Sequence, residues 1–364
     1  MINKITISGF KKFTENEFDL SMLTVLTGLN GYGKTSLIQA ILLAWAASRN
    51  EVVKLNGPFG LQLGVAGKVR NWDYDRDIAI TLDFDDASIH KCVFRTLNED
   101  DLFLRLDEHL SEIRSENNLN AKRYFSYLCA ERLGPRSILG SSPEPDDELE
   151  VGVHGEYCAQ MIGTLGDKPI EDITRLHPDN NGQESTLLKY EIERWLKDIA
   201  KQVEISTTQF QGTSATAINF RTIGGEWVSA PNMGFGISYS LPVILCGLTA
   251  RSGGVILIEN PEAHLHPAGQ SKMGEFLGWL AGKGIQIIVE THSDHVLNGI
   301  RKSIAINHHV NNRDVLTYYF DDSEEGVNKL SIEEDGSISS WPRGFFDQYH
   351  IDVSTLGRIR RGRA

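Results

Sequence analysis

The residues best able to do chemistry in this 364-residue chain lie in one short run, Gly28–Ser36, which reads Gly-Leu-Asn-Gly-Tyr-Gly-Lys-Thr-Ser. Its spacing is G-x-x-x-x-G-K-[ST], that of a phosphate-binding loop. Glycines at these positions let the backbone N–H groups around Asn30, Gly31 and Gly33 turn inward onto phosphate oxygens. A helix starting near Ser36 adds the positive end of its dipole. Lys34 would reach the β- and γ-phosphates, and the Thr35 hydroxyl would ligate Mg²⁺. The run has the flanks this chemistry requires. Thr24-Val25-Leu26 reads as a buried strand entering the loop, and Ser36 to Leu43 as an apolar helix leaving it, extending to about Ser48.

Three further clusters follow. Val255-Ile256-Leu257-Ile258 reads as a buried parallel strand that delivers Glu259-Asn260-Pro261-Glu262 to the strand edge where open α/β sheets bind ligands. Glu259 and Glu262 are the candidate carboxylates there, for the Mg²⁺ shell and for an attacking water. Ile285 to Val289 reads as another buried strand. It ends in Glu290-Thr291-His292-Ser293-Asp294-His295, where His292 is placed to hydrogen-bond a γ-phosphate. Asn232 to Pro242 opens a helix rich in Leu, Val and Ile with glycines and serines, a second exposed helix N-terminus. His264, His266, His292 and His295 lie in two turns that the nucleotide reading already accounts for. With H-E-x-x-H absent, they do not make a zinc hydrolase.

The elements that must position these groups fall into two kinds. From Gly234 to about Phe320 helices alternate with short apolar strands. By contrast, Ile2 to Leu20, Ile78 to Phe84, Ile89 to Phe94 and Leu102 to Leu106 show period-two alternation, as does Ile205 to Val228. The fold expected is therefore α/β: a mainly parallel sheet with helices on both faces and a flanking antiparallel β layer. Leu187, Leu188, Ile192, Trp195, Leu196 and Ile199 recur at helical spacing. Glu108–Lys122 reads as helix or loop, Gly140–Glu150 as the most disorder-like loop, and the basic end from Arg358 to Arg363 as frayed.

Composition bounds the partners. Lys and Arg number 36 against 49 Asp and Glu, a net charge of −13, so the molecule as a whole is not a generic polyanion binder. A local basic groove stays open as a nucleic-acid contact. No apolar run spans a bilayer, and Met1-Ile2-Asn3-Lys4-Ile5 begins a strand rather than a signal peptide. The four cysteines are scattered without a C-x-x-C pair, which argues against a disulfide framework and points to a cytoplasmic protein.

The four clusters in this order resemble the ABC-type ATPases of the structural-maintenance-of-chromosomes class, including Gly9-Phe10-Lys11-Lys12-Phe13 as the opening strand and turn. Ile-Glu-Asn-Pro-Glu-Ala-His-Leu-His-Pro, Glu-Thr-His-Ser-Asp-His, Ala-Glu-Arg-Leu-Gly-Pro-Arg and Trp-Pro-Arg-Gly-Phe-Phe-Asp are similar to a prokaryotic subgroup. It is related to the ATPase half of overcoming-lysogenisation-defect nucleases and to Septu-like anti-phage defence ATPases. The resemblance implies a single P-loop NTPase head of ABC type with two lobes. Residues 1–130 would form the N-terminal lobe, 131–230 an inserted helical and β region, and 231–364 the C-terminal lobe. It implies ATP and Mg²⁺ as ligands, the metal held by Thr35 and Glu259. It makes Gly236 and Ser238 the signature element that contacts ATP bound by the other protomer of a homodimer, and His292 the switch histidine. Gln62 and Gln39 are the two candidates for the lobe-bridging glutamine. Further implications are assembly above the dimer and a separate effector, a nuclease or toxin, since no nuclease segment follows His292. Two departures stand out. Asn260 occupies the place of the class's catalytic Glu and cannot act as a general base. The long coiled-coil arm is missing, leaving at most a short helical projection at Thr186–Gln202. The other roles compatible with these motifs are a DNA-repair or chromosome-handling ATPase and an ATP-gated scaffold that scarcely hydrolyses.

Overall fold

Buried residues alternate along antiparallel strands such as Ile78–Phe84, Ile89–Arg95 and Ala215–Arg221 and run unbroken along the central parallel ones, and this difference sorts the protein into layers. The computed structural model describes residues 1–111, 121–180, 184–323 and 326–360. A hairpin opens the chain: β1 (Ile2–Phe10) pairs antiparallel with β2 (Phe13–Asp19) around a turn in which Lys11 takes φ 51°. Then come β3 (Leu23–Gly28), α1 (Lys34–Ala47), β4 (Val52–Lys54), the single turn α2 (Ala66–Val69), β5 (Ile78–Phe84), β6 (Ile89–Arg95) and β7 (Phe103–Ser111). Six of these strands form one antiparallel sheet in the order β2-β1-β5-β6-β7-β4. In β5, Ile78, Ile80, Leu82 and Phe84 are buried while the residues between them are half-exposed, so only one face is covered.

The chain continues through β8 (Phe125–Leu128), β9 (Ile138–Gly140), α3 (Cys158–Leu165), α4 (Leu188–Ile199), β10 (Glu204–Gln209), β11 (Ala215–Arg221), β12 (Val228–Ser229) and α5 (Phe235–Thr249). It ends with β13 (Val255–Glu259), α6 (Pro267–Gly282), β14 (Gln286–Glu290), α7 (Asp294–Ala305), β15 (Val315–Phe320), β16 (Val327–Ser331) and α8 (Gln348–Arg360). The second sheet runs β16-β15-β3-β14-β13-β8. Every pair in it is parallel except β15 with the edge strand β16. A third, small antiparallel sheet has β10 on one side of β11 and both β9 and β12 on the other. The α/β architecture expected from the sequence is the one found.

The parallel sheet is buried on both faces, as such sheets must be. Val255, Leu257 and Ile288 face the core shared with α1 and the antiparallel sheet. Ile256, Ile258, Ile287 and Val289 face the core built by α3 to α7. Trp45 of α1 stacks on Phe125 of β8 with ring centroids 4.0 Å apart, which ties that helix to the far edge of the parallel sheet. Among the described residues no helix is long and apolar enough to cross a membrane.

Several local expectations are corrected. Glu108 to Ser111 continue strand β7 instead of turning into helix or loop, because β6 offers them a register partner, His90 opposite Ser111. The part of that stretch from 112 to 120 lies outside the described residues. Gly140–Glu150, for all its Ser, Pro and Asp, is anchored. Gln160 accepts a hydrogen bond from the Ser142 backbone N–H, and Leu149 is fully buried. Nor does α4 project. Ile192, Trp195 and Leu196 are buried, and the Trp195 ring meets Phe276 and Trp279 of α6 at 4.7 and 4.8 Å. Of the basic end, Arg358 to Arg360 are helical, within α8, and 361–363 lie outside the described residues.

One glycine is fixed by a close approach. Gly28, where β3 meets the loop, has φ +121°, and a Cβ there would stand 2.0 Å from the Phe320 carbonyl oxygen of β15. Gly28→Ala is expected to destabilise the fold by about 2 kcal/mol or more, combining positive-φ strain with forced separation of β3 from β15. A urea denaturation midpoint equal to that of the wild type would contradict this.

Candidate functional site

The loop between β3 and α1 turns through Gly31 at φ +83° and Gly33 at φ +111°, conformations that bring backbone N–H groups onto one concave side. No acidic side chain lies in the first turn of α1 to oppose an anion. A cavity of about 360 Å³ opens here. Asn30, Gly31, Gly33, Lys34, Thr35 and Ser36 form one wall, and Glu259, Asn260, Glu290 and His292, with Ala130, form the other. A larger cavity of about 530 Å³ lies at the opposite, N-terminal ends of β14 and β15, beside Gly284 and Asp314, away from the loop.

Lys34 is 3% exposed, and its Nζ donates to the carbonyls of Gly28 and Leu29 at 3.0 and 2.7 Å. Glu290 Oε1 lies 4.0 Å from that ammonium. Both Glu290 oxygens accept from the Thr35 hydroxyl, at 2.9 and 3.2 Å. Burial dominates this pair: it lowers Lys34 and, reinforced by the neighbouring Glu259 charge, pushes Glu290 up to about 7. Two buried groups so poorly satisfied by one another are poised for an outside anion and an outside cation.

The acid strand is held differently. Glu259 accepts from the Tyr127 hydroxyl at 2.9 Å and from the Ala130 N–H at 3.1 Å, and burial raises its carboxyl. Arg132, 3% exposed, donates to the carbonyls of Glu259 and Asn260 at 2.6 and 2.5 Å and lies over the ring of Tyr239. Asn260 takes φ +46°, and its N–H donates to the Glu290 carbonyl at 2.8 Å. Its Oδ1 is buried and finds no hydrogen-bond donor among the described residues. Glu262 does not line the cavity. Its Oε1 accepts from the His292 N–H at 2.8 Å, and burial raises its carboxyl too. His292 is exposed on the wall, and partial burial, with the Lys34 charge, lowers its pKa from the ordinary imidazole value. Ser293 caps α7 by accepting from the N–H groups of His295 and Val296, which fixes the turn that presents His292.

The structure thus brings most of the expected residues to one cavity and leaves Gly236 and Ser238 outside it. These two lie in the first turn of α5, where Gly236 sits against the His264 carbonyl and Phe235 is 54% exposed. Neither glutamine reaches the cavity: Gln39 accepts from Lys11 Nζ, and Gln62 is exposed in an isolated bridge with Asn56. Sequence reasoning missed Glu290, Arg132 and Tyr127. For Glu290 a signal existed: a carboxylate at the C-terminal end of an apolar strand, two residues before His292. The acid strand also lies farther from the loop than expected, since β14 intervenes between β3 and β13. The donors gathered here, a hydroxyl, two carboxylates and the Asn260 amide oxygen without a donor, are hard oxygen ligands. They fit a divalent cation such as Mg²⁺.

The AAA ATPase domain family matches residues 1–132 and 141–297, and a family described as a protein of unknown function, DUF3696, matches residues 310–356. No curated protein matches the chain. Among solved structures, the fold is like that of an SMC head bound to the C-winged helix domain of ScpA. The TM-score is 0.54 at 14% identity, covering 92% of this chain and 98% of that one. It is also like the SMC head with an extended coiled coil bound to the C-terminal domain of ScpA, from Pyrococcus furiosus. There the TM-score is 0.51 at 12% identity, with 99% of each chain covered.

Proposed function

We propose, from the premise that the chain belongs to the AAA ATPase domain family, that this protein is an ATP- and Mg²⁺-binding ATPase of slow turnover. It closes with a second copy around ATP and acts as the sensor or regulatory subunit of a prokaryotic anti-phage defence complex. The effector, a nuclease or toxin, is a separate chain, and the working location is the cytoplasm. One observation carries the nucleotide reading. A single cavity is walled on one side by Asn30 to Ser36 and on the other by Glu259, Asn260, Glu290 and His292. Glycine-loop N–H groups, Lys34 and the α1 N-terminus suit a triphosphate. Thr35 with Glu259 or Glu290 would hold Mg²⁺, which would supply neutralisation of the phosphate charge. His292, neutral, would hydrogen-bond the γ-phosphate and orient on its loss.

The dimer rests on the placement of Ser238. It stands at an exposed helix start outside its own chain's cavity, so a role on nucleotide requires a second copy. Residues 1–130, 131–230 and 231–364 are taken as the N-terminal lobe, the inserted region and the C-terminal lobe. The defence role and its subgroup rest on the motifs around Glu131–Arg136, Glu259–Pro267 and Trp341–Asp347. SMC heads of like fold bound to parts of ScpA make a protein partner for this head a consistent extension. A second reading, a scaffold gated by ATP with little hydrolysis, is favoured by Asn260 at the place of a general base.

Dimerisation is the test. Mass by light scattering is expected to double when a slowly hydrolysed ATP analogue is added to the wild type. Ser238→Arg is expected to remain monomeric while binding the analogue with unchanged affinity, because Ser238 lies outside its own chain's nucleotide cavity. It is half-buried beside Leu133 and Ile218, so a thermal melt checks that the variant is folded. Equal dimer populations in both proteins would refute the sandwich.

A further inference from the structure

We propose that Glu290, at the end of the strand between the loop strand and the acid strand, is the carboxylate that holds the divalent cation against Thr35, with Glu259 as its buttress. This rests on the nucleotide reading above and refines its metal site. Topology is the first argument. β14 lies directly beside β3, with Glu290 in register with Leu26, whereas β13 is one strand farther away, with Glu259 in register with Glu290. Strands are about 4.8 Å apart, so Glu290 is the nearer acid to the loop by one full spacing.

The second argument is what each carboxylate already does. One Glu259 oxygen accepts from Tyr127 and the other from the Ala130 backbone, donors that lie on and after β8, on the side away from the loop. Those bonds engage both Glu259 oxygens where the side chain lines the cavity wall beside Ala130, and leave Glu290 as the acid on the Thr35 side. Both Glu290 oxygens instead converge on the Thr35 hydroxyl, and one also faces the Lys34 ammonium. In a phosphate loop of this spacing the Thr35 hydroxyl is a metal ligand. A cation bound there meets Glu290 at once, since the two share a hydrogen bond of 2.9 Å. Thr35 would keep its proton and turn a lone pair to the ion, and Glu290 would exchange that hydroxyl for the metal directly or through a bound water. Lys34 would then no longer be opposed to Glu290 alone, while its hydrogen bonds to the Gly28 and Leu29 carbonyls keep it at the loop. Without the cation, a triphosphate in this cavity faces the Glu290 carboxylate with only Lys34 to offset its charge.

The proposal makes opposite predictions for the two acids when ATP affinity is measured by calorimetry in EDTA and again in Mg²⁺. The wild type is expected to bind ATP more tightly with Mg²⁺. Glu290→Gln should bind ATP in EDTA at least as tightly as the wild type, having lost a repelling charge, and should lose about 10- to 100-fold of the Mg²⁺ gain. Glu259→Gln should keep most of the gain. Binding in EDTA shows that each variant is folded. Glu290→Asp, which keeps the charge but withdraws it by one methylene, should show an intermediate gain. Replacing Mg²⁺ by Mn²⁺ and following its paramagnetic signal in the presence of ATP gives a second readout, expected to fall with Glu290→Gln. A full Mg²⁺ gain in Glu290→Gln, or a gain lost in Glu259→Gln alone, overturns the assignment while leaving the phosphate loop in place. A wild type that binds no ATP under either condition overturns the nucleotide reading beneath it.

Discussion

Lys34→Ala is expected to reduce ATP affinity by about a hundredfold or more while leaving a folded protein. Among the described residues the ammonium is the one Lys or Arg charge on the cavity wall, 3% exposed and held by the carbonyls of Gly28 and Leu29. Hydrogen bonds to a charged group contribute about 1.5–3 kcal/mol each. Losing two from the β- and γ-phosphates therefore corresponds to at least two decades of affinity. The fold should survive because Lys34 begins α1, where alanine is a good helix former, and because the apolar core below the loop is untouched. Calorimetry with ATP, beside a thermal melt, checks both halves. Unchanged affinity in a folded variant would mean that the cavity at Asn30–Ser36 is not where ATP sits.

Much of this architecture could be read from local pattern. Val255–Ile258 declared itself a buried strand because every residue is apolar, and Ile285–Val289 because every residue but Gln286 is. Ile78–Phe84 declared itself a one-sided strand because alternate residues are. The loop was legible because its glycines have a conformational reason to be where they are. What stayed hidden was set by contacts distant in sequence. Thr35 and Glu290 meet across 255 residues. Nothing near Glu-Thr-His-Ser says that its strand inserts between the loop strand and the acid strand, and so its glutamate was passed over for Glu259. Arg132 reads as one charge in a loop, yet it is buried and pins the carbonyls of Glu259 and Asn260. Similarly, the amphipathic pattern at Leu187–Ile199 identifies a helix but not what covers it. Only the packing of Trp195 against α6 distinguishes a core helix from a projecting arm. Gly140–Glu150 has the composition of a free loop and is held by single long-range anchors such as Gln160 and Leu149, which composition does not register.

The other large effect concerns turnover. A water attacking the γ-phosphate must be oriented, and its proton must finally leave. Asn260 lines the cavity, but its Oδ1 is buried and has no donor among the described residues, so orienting that water requires the amide to turn toward the cavity. An amide cannot take the proton. Glu262, the nearest further carboxylate along the turn, is outside the cavity wall and engaged with the His292 N–H. Wild-type turnover is therefore expected below about 1 per second, the low end of ordinary enzymes, with a long-lived ATP-bound state. Asn260→Glu should raise the rate by about tenfold or more, since a positioned general base is worth about 10²–10⁴-fold where nothing else limits. The gain should require Mg²⁺, because the new carboxylate joins Glu259 and Glu290, which already repel one another. Glu262→Gln should lower the rate by less than tenfold, acting through the backbone that carries His292 and not on the water. Single-turnover phosphate release across these variants reads the chemical step directly. A wild type that turns over many ATP per second and is insensitive to Asn260 would place the base elsewhere. Tight ATP binding with no release in any variant, Asn260→Glu included, would favour the ATP-gated scaffold over the enzyme, because the missing base would then not be what holds hydrolysis back.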